Sequence, residues 1–576
     1  MKRKILVYIL LAVNLTLLAC SDSWLDTKPL DKFTEEDVWN DANLAEAFVY
    51  GAYNKVINDY LRLPEDGGNQ LGESMDDYSD DVITKSGNKV IRDQMDKYYD
   101  EGWDVFDDIR QCNIIIDKAT ESAGLRDDEK ESLIAKGRML RAMIYYSRAR
   151  IFGKYVLIDH TLTVDDDLEL PRSSTIKETY DFILADLAFA AEHLPEKAKL
   201  GALSKGAALA LTTEVAIQGA SYIESGAEDY YQKASDAGQV LLDMGQYAID
   251  SNYAGLFNDY DYGISSKENI LLYLQSSDIT YANHTRMVTL IPTADASLAY
   301  DWCVPTLVEH VQGWCERWPS SELVDAYLVT DADGVAKKWN ETSYYQQFQA
   351  NGGYVSKAIY TNRDKRFEAS VVQDSSSYFR NRATIREGGN LHYTSSMKHL
   401  VHMTKSGYYF RKGVYEQEPF MPKLVMSHHL VIYRLGRAVL NYAEAELRLG
   451  HISKAIELIN RTRTVHGGLP ALSPDLNAAD AWTYYKIERH ADLFYEGDRY
   501  WSLLRWAKAE GKENIPELDQ SMKCINIAKD GKSFEMIKLP YVNAQNIHSF
   551  SEKRFLFPVP EGERLLNKNL DQNPGW

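Results

Sequence analysis

The sequence predicts a mainly α-helical fold in which paired helices form a scaffold around a long irregular region. Apolar residues recur at helical spacing along most of residues 33–250 and again along 429–510. Glycine turns join neighbouring helices that carry alanines on their facing sides, which is typical of tetratricopeptide-type pairs. Within 251–428, glycine, proline, serine, asparagine and aromatic residues dominate and helical stripes are short. Residues 511–576 begin with a second irregular stretch.

Composition and charge limit the class of protein. The chain has 576 residues, of which 45% are hydrophobic and 26% are charged, as in a folded globular protein. The formal net charge is −20. A field of that sign repels phosphates, so no nucleic-acid partner is expected. The 38 tyrosines and 11 tryptophans suggest surfaces for contact, although most of the tyrosines are expected to fill helix interfaces.

The N-terminus predicts export and lipid attachment. Basic residues 2–4 precede the apolar segment Ile5–Leu18, which is too short to span a bilayer and has the length of a signal sequence. It ends at Ala19 and Cys20, where a lipoprotein signal would be cut before the cysteine. We therefore predict a signal peptide over 1–19, a lipidated tether over 20–32 and a single folded body over 33–576. An ordinary secretory signal with a chance cysteine is the alternative.

The first helical block is predicted to contain six helices. In the first of them, Leu44, Phe48, Gly51, Ala52 and Lys55 form the apolar stripe. The other five are predicted at Trp103–Ala119, Asp128–Phe152, Ile176–Leu194, Ser204–Ser225 and Tyr230–Met244. Small residues in the fourth of these, including Gly219, would let helices approach closely.

The second helical block is predicted at Tyr433–Leu449, Ser453–Val465 and Ala481–Arg505. Glu444 and Arg448 are four residues apart, a favourable spacing for an ion pair on a helix. Four charged residues alternate with apolar ones and predict a partly buried ion network; they are Glu488, Arg489, Glu496 and Arg499. A catalytic carboxylate pair is the functional alternative.

Three places combine aromatic rings with polar groups, the mixture that binds saccharides by stacking and by hydrogen bonds to hydroxyls. The first follows the first helix and contains Asp76, Asp77 and Tyr78. The second and third lie in the irregular region; their residues are Tyr300, Trp302, Trp314 and Trp318, and Arg382, Tyr393 and Tyr409. Each tryptophan could instead pack a loop.

Signals for metals, disulfides and enzymes are weak. Asp331-Ala-Asp333-Gly334 resembles the start of a calcium loop but lacks its later ligands, so a turn is expected. Asp165–Asp167 could bind Ca²⁺, yet a solvated acidic loop is favoured. No metal site or cofactor is therefore predicted. Cys303 and Cys315 could pair or remain free thiols. The hydrolase, P-loop and dinucleotide motifs are absent from the sequence.

Several strings, taken in order, resemble the SusD/RagB family of outer-membrane nutrient-binding lipoproteins of Bacteroidetes. Those near the N-terminus are Cys20–Asp26 with Pro29, Trp103 with Cys112–Ile115, Ala135–Ala142 with Phe152-Gly153, and Ser204–Ala208. Those nearer the C-terminus are Asn441–Glu446 with Leu449-Gly450, Ile487–Arg489 with Phe494–Tyr500, Phe557–Glu561 and Asn573–Trp576. His490 departs from the pattern, because a second arginine is common there.

The resemblance implies helix pairs that support an irregular ligand-binding region. It also implies a lipid-anchored, non-catalytic protein on the outer face of the outer membrane. Such proteins bind an oligosaccharide or polysaccharide and deliver it to a SusC-like TonB-dependent transporter. Alternatives are uptake of a peptide and, further off, a helical surface glycoside hydrolase or a protein-binding adaptor.

Overall fold

The computed structural model describes residues 33–60, 75–282, 285–293, 311–393, 402–417, 420, 424–538 and 547–576. The predicted signal and tether, with Cys20, lie outside the described residues, as do Tyr300, Trp302 and Cys303. Among the described residues, no helix combines the length and the apolar character needed to cross a bilayer. The prediction of a mainly helical fold is confirmed.

The helices are numbered in chain order. Those of the first part are α1 (Glu35–Trp39), α2 (Ala42–Tyr60), α3 (Phe106–Glu121), α4 (Asp127–Phe152), α5 (Ile176–His193), α6 (Lys205–Ala220) and α7 (Ala227–Asp243). Those of the middle are α8 (Tyr253–Asn258), α9 (Tyr260–Ser265), α10 (Met287–Leu290), α11 (Ser321–Ala326), α12 (Ser343–Asn351), α13 (Val355–Ile359) and α14 (Lys365–Ser370). The last are α15 (Leu435–Leu449), α16 (Ile452–Val465), α17 (Ala478–Asp492), α18 (Arg499–Ala509) and α19 (Glu561–Leu566).

The strands are short and pair two by two, all antiparallel. The pairs are β1 (Val82–Thr84) with β3 (Arg317–Pro319), β2 (Asn269–Gln275) with β10 (His428–Arg434), β4 (Val329–Thr330) with β5 (Ala336–Lys337), β6 (Val371–Val372) with β9 (Tyr409–Phe410), β7 (Ser377–Tyr378) with β8 (Asn381–Arg382), and β11 (Lys523–Ile527) with β12 (Phe534–Lys538).

Local chemistry sets the ends of the scaffold helices. The hydroxyls of Thr175 and Ser204 accept hydrogen bonds from backbone N–H groups in the first turns of α5 and α6, satisfying donors that a helix leaves free. Gly450 follows α15 in the left-handed region, at a φ of 84°, where glycine carries no steric penalty.

Small residues let the scaffold helices pack closely. Most of α6 is buried, and it lies against both α5 and α7. A Cβ atom at Gly219 would lie only 2.8 Å from ring carbons of Tyr180 on α5 and Tyr230 on α7. The expectation that glycine permits a close approach here is confirmed.

The buried face of α2 differs from the predicted stripe. Ala45, Val49, Ala52 and Val56 are buried, whereas Phe48 is 36% exposed. The predicted stripe was therefore wrong by about one position. The prediction placed Phe48 on the buried face because its side chain is large and apolar. In the structure the smaller side chains fit the contact of α2 with α4.

The predicted helix Ala481–Arg505 is two helices, α17 and α18. Tyr495 and Gly497 between them have φ angles of 58° and 70°, which an α-helix cannot contain. The break turns the chain so that the loop between α17 and α18 faces β10. Ion pairs also differ from expectation, because Glu444 is held by Arg505 at 2.8 Å rather than by Arg448.

Two large hydrophobic cores and a small third cluster around Tyr253, Leu256 and Phe257 organise the described residues. The larger one joins α2–α7 to α15–α18. The second lies in the irregular region, and Phe494 and the strands β1, β3, β6, β9 and β11 contribute to it. The strand β10, which pairs with β2, follows the irregular region in the sequence and runs directly into α15. It therefore connects the irregular region to the scaffold.

Candidate functional site

A cavity of about 120 Å³ lies where the helical scaffold meets the irregular region. We call it the junction cavity. Its walls come from the end of α2, from α4, from β10 and from the loop between α17 and α18. The lining residues are Tyr60, Met75, Arg150, Phe257, Arg286, Leu290, Lys412, Gly413, His428, His429, Leu430, Val431, Ile432, Arg437, Tyr495, Glu496 and Gly497.

The two histidines of β10 differ in their hydrogen bonds. The ring nitrogens of His429 lie 2.7 Å from the Tyr415 hydroxyl and 2.7 Å from the Leu256 carbonyl oxygen. His428 is buried and its Nδ1 has no hydrogen-bond partner. Burial, with His429 and Arg286 nearby, lowers the pKa of His428 to about 3. His428 is therefore neutral at ordinary pH and offers a free ring nitrogen.

Lys412 is a buried cation in the cavity wall. Its Nζ donates to Oε1 of Glu496 at 2.6 Å and to the Tyr253 hydroxyl at 2.7 Å. The ammonium also lies 4.0 Å from the centre of the Phe257 ring. Burial lowers the pKa of Lys412 to about 8 in spite of the attraction of Glu496. The group remains mostly charged at neutral pH.

Arg150 and Arg437 share one carboxylate at the scaffold side of the cavity. Arg437 donates to both oxygens of Glu214, at 2.7 and 2.8 Å. Arg150 lies 3.7 Å from Glu214, and its Nε has no hydrogen-bond partner. Its guanidinium instead contacts the rings of Tyr60, Tyr146 and Trp501, with centroids at 5.7, 4.5 and 5.1 Å.

The carboxylates beside the cavity are held ionised. Burial opposes the charge of Glu496, but Arg434 and Lys412 outweigh it and lower the pKa of Glu496. Arg437 and Arg150 likewise lower the pKa of Glu214 against the effect of its burial. A general acid needs a raised pKa, so neither group suits that role. These two carboxylates therefore act as fixed negative charges beside the cavity.

A buried ion network lies behind the cavity. Arg434 contacts Asp492 at 2.7 Å and Glu268 at 2.9 Å, and Arg366 contacts Glu488 at 3.0 Å. His466 lies between Asp492 and Glu268, at 2.7 and 2.9 Å. The four predicted residues are thus in buried ion pairs, as expected, but each pairs with a residue outside the predicted set. Arg489 pairs with Asp498 and Arg499 with Asp80.

The first predicted contact group is buried at a junction between elements. Asp77 accepts three hydrogen bonds from Nε and Nη2 of Arg317, at 2.8 to 3.0 Å, and Asp76 accepts from the backbone N–H of Gly497. The Tyr78 hydroxyl donates to Glu101 at 2.8 Å. All three predicted residues are at most 1% exposed. Asp77 thus positions β3, and Asp76 positions the loop between α17 and α18.

The other predicted residues divide by burial. Trp318 and Tyr409 are buried and donate to the carbonyl oxygens of Cys315 and Leu391. Trp314 and Tyr393 are half-buried against the second core, and Arg382 is exposed. In the sequence, Trp314 and Tyr393 are each within a few residues of a segment outside the described residues. Trp314, Tyr393 and Arg382 are the predicted contact residues that the described structure leaves open to solvent.

Sequence reasoning missed most of the junction cavity. His428 and His429 are adjacent in the sequence and match no metal-binding or catalytic spacing. Lys412 had no signal, because a lysine in a glycine-rich segment is usually solvated. The continuous apolar run Leu430–Tyr433 could have indicated β10, but burial along this strand does not alternate, so the sequence could not show which side chains line the cavity.

Among the described residues, one group has three potential metal ligands close together: Asp80, Asp81 and His490. Arg499 already contacts both oxygens of Asp80, each at 2.8 Å, and His490 contacts Asp81. Arg499 therefore neutralises Asp80. The calcium-like Asp331 and Asp333 are bridged by Lys337, at 2.7 and 2.6 Å, in the turn between β4 and β5. The expected turn is confirmed. Cys112, Cys315 and Cys524 are buried free thiols.

Comparison with known proteins decides the family. Residues 280–576, more than half of the chain, match the family model described as the SusD family. The chain belongs to the SusD family. Residues 23–217 match a second SusD-like model, described as starch-binding and associating with the outer membrane. SusD-like proteins are carbohydrate-binding proteins rather than enzymes.

Curated relatives and solved structures agree with this assignment. A SusD-like protein of Bacteroides ovatus is 25% identical over 48% of this chain, and the match spans only half of that relative. A SusD-like protein of Formosa agariphila is 21% identical over 88% of this chain and 92% of its own length. The crystal structure of a SusD-like protein from Bacteroides fragilis has a TM-score of 0.75 at 23% identity, over 96% of this chain and all of the other.

Proposed function

We propose that this protein captures an oligosaccharide or polysaccharide at the cell surface and delivers it to a SusC-like TonB-dependent transporter. Lipid on Cys20 would hold it to the outer face of the outer membrane. The observation that carries the proposal is membership of a carbohydrate-binding family. The predicted signal sequence and the matched description of outer-membrane association support the location.

The structure supplies groups suited to a glycan. The junction cavity joins aromatic faces, such as Tyr60 and Tyr495, to charged and neutral polar groups. Trp314, Tyr393 and Arg382 add half-buried or exposed groups elsewhere on the irregular region. Sugars need apolar surface for their C–H faces and polar groups for their hydroxyls. We propose the cavity and these three residues, with Tyr300 and Trp302, as ligand contacts.

Calorimetric titration of the soluble form beginning at Ser21 tests the binding function. The panel contains starch, laminarin, xylan, fructan, pectin and sulfated galactan oligosaccharides together with short peptides, and the products of each mixture are separated by chromatography. Saturable binding of a glycan with no shortening of its chain is the expected result. Cleavage would contradict a binding role, and binding of peptides alone would assign the protein to peptide uptake.

Delivery to a transporter needs a separate experiment. The full-length lipoprotein, carrying a C-terminal affinity tag, is purified from detergent-solubilised outer membranes of its host. Co-purification of a TonB-dependent transporter in near-stoichiometric amount is expected. Purification of the tagged protein alone, from mild detergents in which other outer-membrane complexes survive, would contradict the delivery step and leave glycan binding intact.

A further inference from the structure

The junction cavity has an excess of positive charge in a strongly acidic protein. Four cationic side chains line it: Arg150, Arg286, Lys412 and Arg437. Three carboxylates accompany them: Glu496 in the wall, Glu214 in contact with Arg437 and Arg150, and Asp76 at the backbone N–H of Gly497. The whole chain has a formal net charge of −20. The positive lining therefore departs from the average surface and points to an anionic ligand group.

Arg150 is a cation in the cavity wall whose donors the protein leaves unfilled. Its side chain is 8% exposed, its Nε has no hydrogen-bond partner, and its nearest carboxylate, on Glu214, lies 3.7 Å away. A buried guanidinium without hydrogen bonds costs free energy. The three surrounding rings restrict its movement. An incoming carboxylate or sulfate could accept hydrogen bonds from the planar guanidinium, which suits such oxygens.

His428 provides a second unfilled polar group on another wall. Its Nδ1 has no partner, and its ring is 2% exposed. Burial keeps the imidazole neutral. Its Nδ1 can therefore form a hydrogen bond with a sugar hydroxyl, as donor or acceptor, without adding charge to the cavity. The cavity thus offers an arginine for an anion and an imidazole for a hydroxyl, on walls from α4 and β10.

The size of the cavity limits the ligand. A volume of about 120 Å³ has room for on the order of eight water molecules. That space suits one pyranose ring with its substituent rather than a stretch of polymer. A chain end or a side branch could therefore enter it, while Tyr60 and Phe257 supply apolar faces.

We propose that the junction cavity is a subsite for an anionic sugar unit, carrying a carboxylate or a sulfate, with Arg150, Arg286 and Lys412 as the charged contacts. The proposal rests on the glycan-binding function and names the chemical class that this part of the site selects. Neutral units of the same glycan would bind outside the cavity.

Titration of the soluble chain from Ser21 with matched ligand pairs tests the proposal without altering the protein. One pair is trigalacturonate and its methyl ester, and the other is a sulfated galactan tetrasaccharide and its desulfated form. We expect the acidic member of at least one pair to bind about tenfold tighter or more, and this advantage to shrink as NaCl rises. The two pairs distinguish carboxylate from sulfate.

Arg150→Gln then locates the effect. The variant should lose the preference for the acidic ligand and keep the affinity for its neutral counterpart. Arg138→Gln is the matched control, because Arg138 also lies over a ring, that of Phe189 at 4.3 Å, on the same helix about 18 Å away. It should bind as the unaltered protein does. Thermal melts verify folding, and Arg286→Gln replaces Arg150→Gln if that variant does not fold.

The outcomes separate this proposal from the glycan-binding function. Binding of neutral glycans with equal or weaker binding of their acidic forms overturns the anionic subsite and leaves glycan binding standing. An acidic preference that survives substitution in the cavity also overturns it. Failure of every glycan to bind overturns both.

Discussion

Arg434 at the end of β10 donates from Nη2 to Oδ2 of Asp492 at the end of α17, at 2.7 Å, and neither side chain is exposed to solvent. The same arginine contacts Glu268 and Glu496 at 2.9 Å. One buried cation thus ties the strand to α17 and to the loop that follows it. The strand β10 and the loop both form walls of the junction cavity, so the ion network fixes the geometry of the proposed ligand site.

Removing the charge of Arg434 should strongly destabilise the protein. Arg434→Met leaves Asp492, Glu268 and Glu496 buried with too few cations, and breaking a buried pair in this way costs about 3–5 kcal/mol. Urea unfolding followed by circular dichroism measures the free energy of unfolding. Arg461→Met is the control, because the pair of Arg461 with Glu457 is 41% and 52% exposed and should contribute about 1 kcal/mol or less. Equal effects of the two substitutions would contradict the assignment.

Alkaline pH should weaken the protein through His466. Burial opposes its charge, but Glu268 and Asp492 outweigh burial and raise the pKa of His466 to about 9. Because the unfolded value is about 6.5, the stabilisation is complete below pH 6.5 and is lost as pH rises through 9. Its size is on the order of 3 kcal/mol.

The variant His466→Gln isolates this effect. Lys412 titrates in the same window with the opposite sign, because its folded pKa of about 8 lies below that of an unfolded lysine. The difference in free energy of unfolding between the unaltered protein and the variant, followed from pH 6 to 9.5, removes most of that contribution. The difference should shrink steadily with pH; a constant difference would show that His466 is neutral.

The sequence predicts the scaffold helices well because their signals are local. Gly450 ends α15 and Ser204 caps α6 through contacts within a few residues. The pairs that build the candidate site are distant along the chain. Asp77 meets Arg317 across 240 positions, and Arg434 meets Glu268 across 166.

Because these partners are distant along the chain, the sequence could not predict which residues of the candidate site contact each other. A cluster of carboxylates in a loop is usually solvated, and only the folded chain shows which arginine neutralises each one. Asp76 and Asp77 were predicted from their composition as ligand contacts and lie buried in the structure. Lys412 could not be selected at all, because its burial depends on Tyr253 and Phe257 of α8 and on Glu496, which are far from it in the sequence.

Adding a methyl group at Gly219 should destabilise the scaffold. The new Cβ would lie 2.8 Å from ring carbons of Tyr180 and Tyr230, so α5 or α7 would have to move. Overpacking of this kind costs about 1–3 kcal/mol. Gly562→Ala in α19 is the control, since no atom lies within 4 Å of the added Cβ. That change should stabilise by about 0.5–1 kcal/mol. Denaturant unfolding compares the two, and a neutral Gly219→Ala would contradict the close packing.

Trp314→Ala and Tyr393→Ala should each weaken glycan binding by about tenfold while the fold persists. Both rings are half-buried and present surface on which a sugar can stack. Trp318→Ala should instead lower stability by about 3–5 kcal/mol, because that ring is 1% exposed. Calorimetry with the glycan found in the panel measures affinity, and Tyr98→Ala, a 64% exposed ring outside the irregular region, is the control. Unchanged affinity in both variants would show that the sugar does not stack on Trp314 or Tyr393.

Substituting Cys20 should release the protein from the membrane. The signal predicts cleavage before Cys20 and acylation of its thiol, and each buried methylene of the acyl chains contributes about 0.8 kcal/mol to attachment. In cells fed labelled palmitate, the unaltered protein should carry label and sediment with outer membranes. Cys20→Ala should carry none and should not sediment with them. Cys112→Ala, which alters a buried thiol, should remain labelled. Membrane attachment of an unlabelled Cys20→Ala protein would show that contacts with another membrane component, rather than lipid, hold it there.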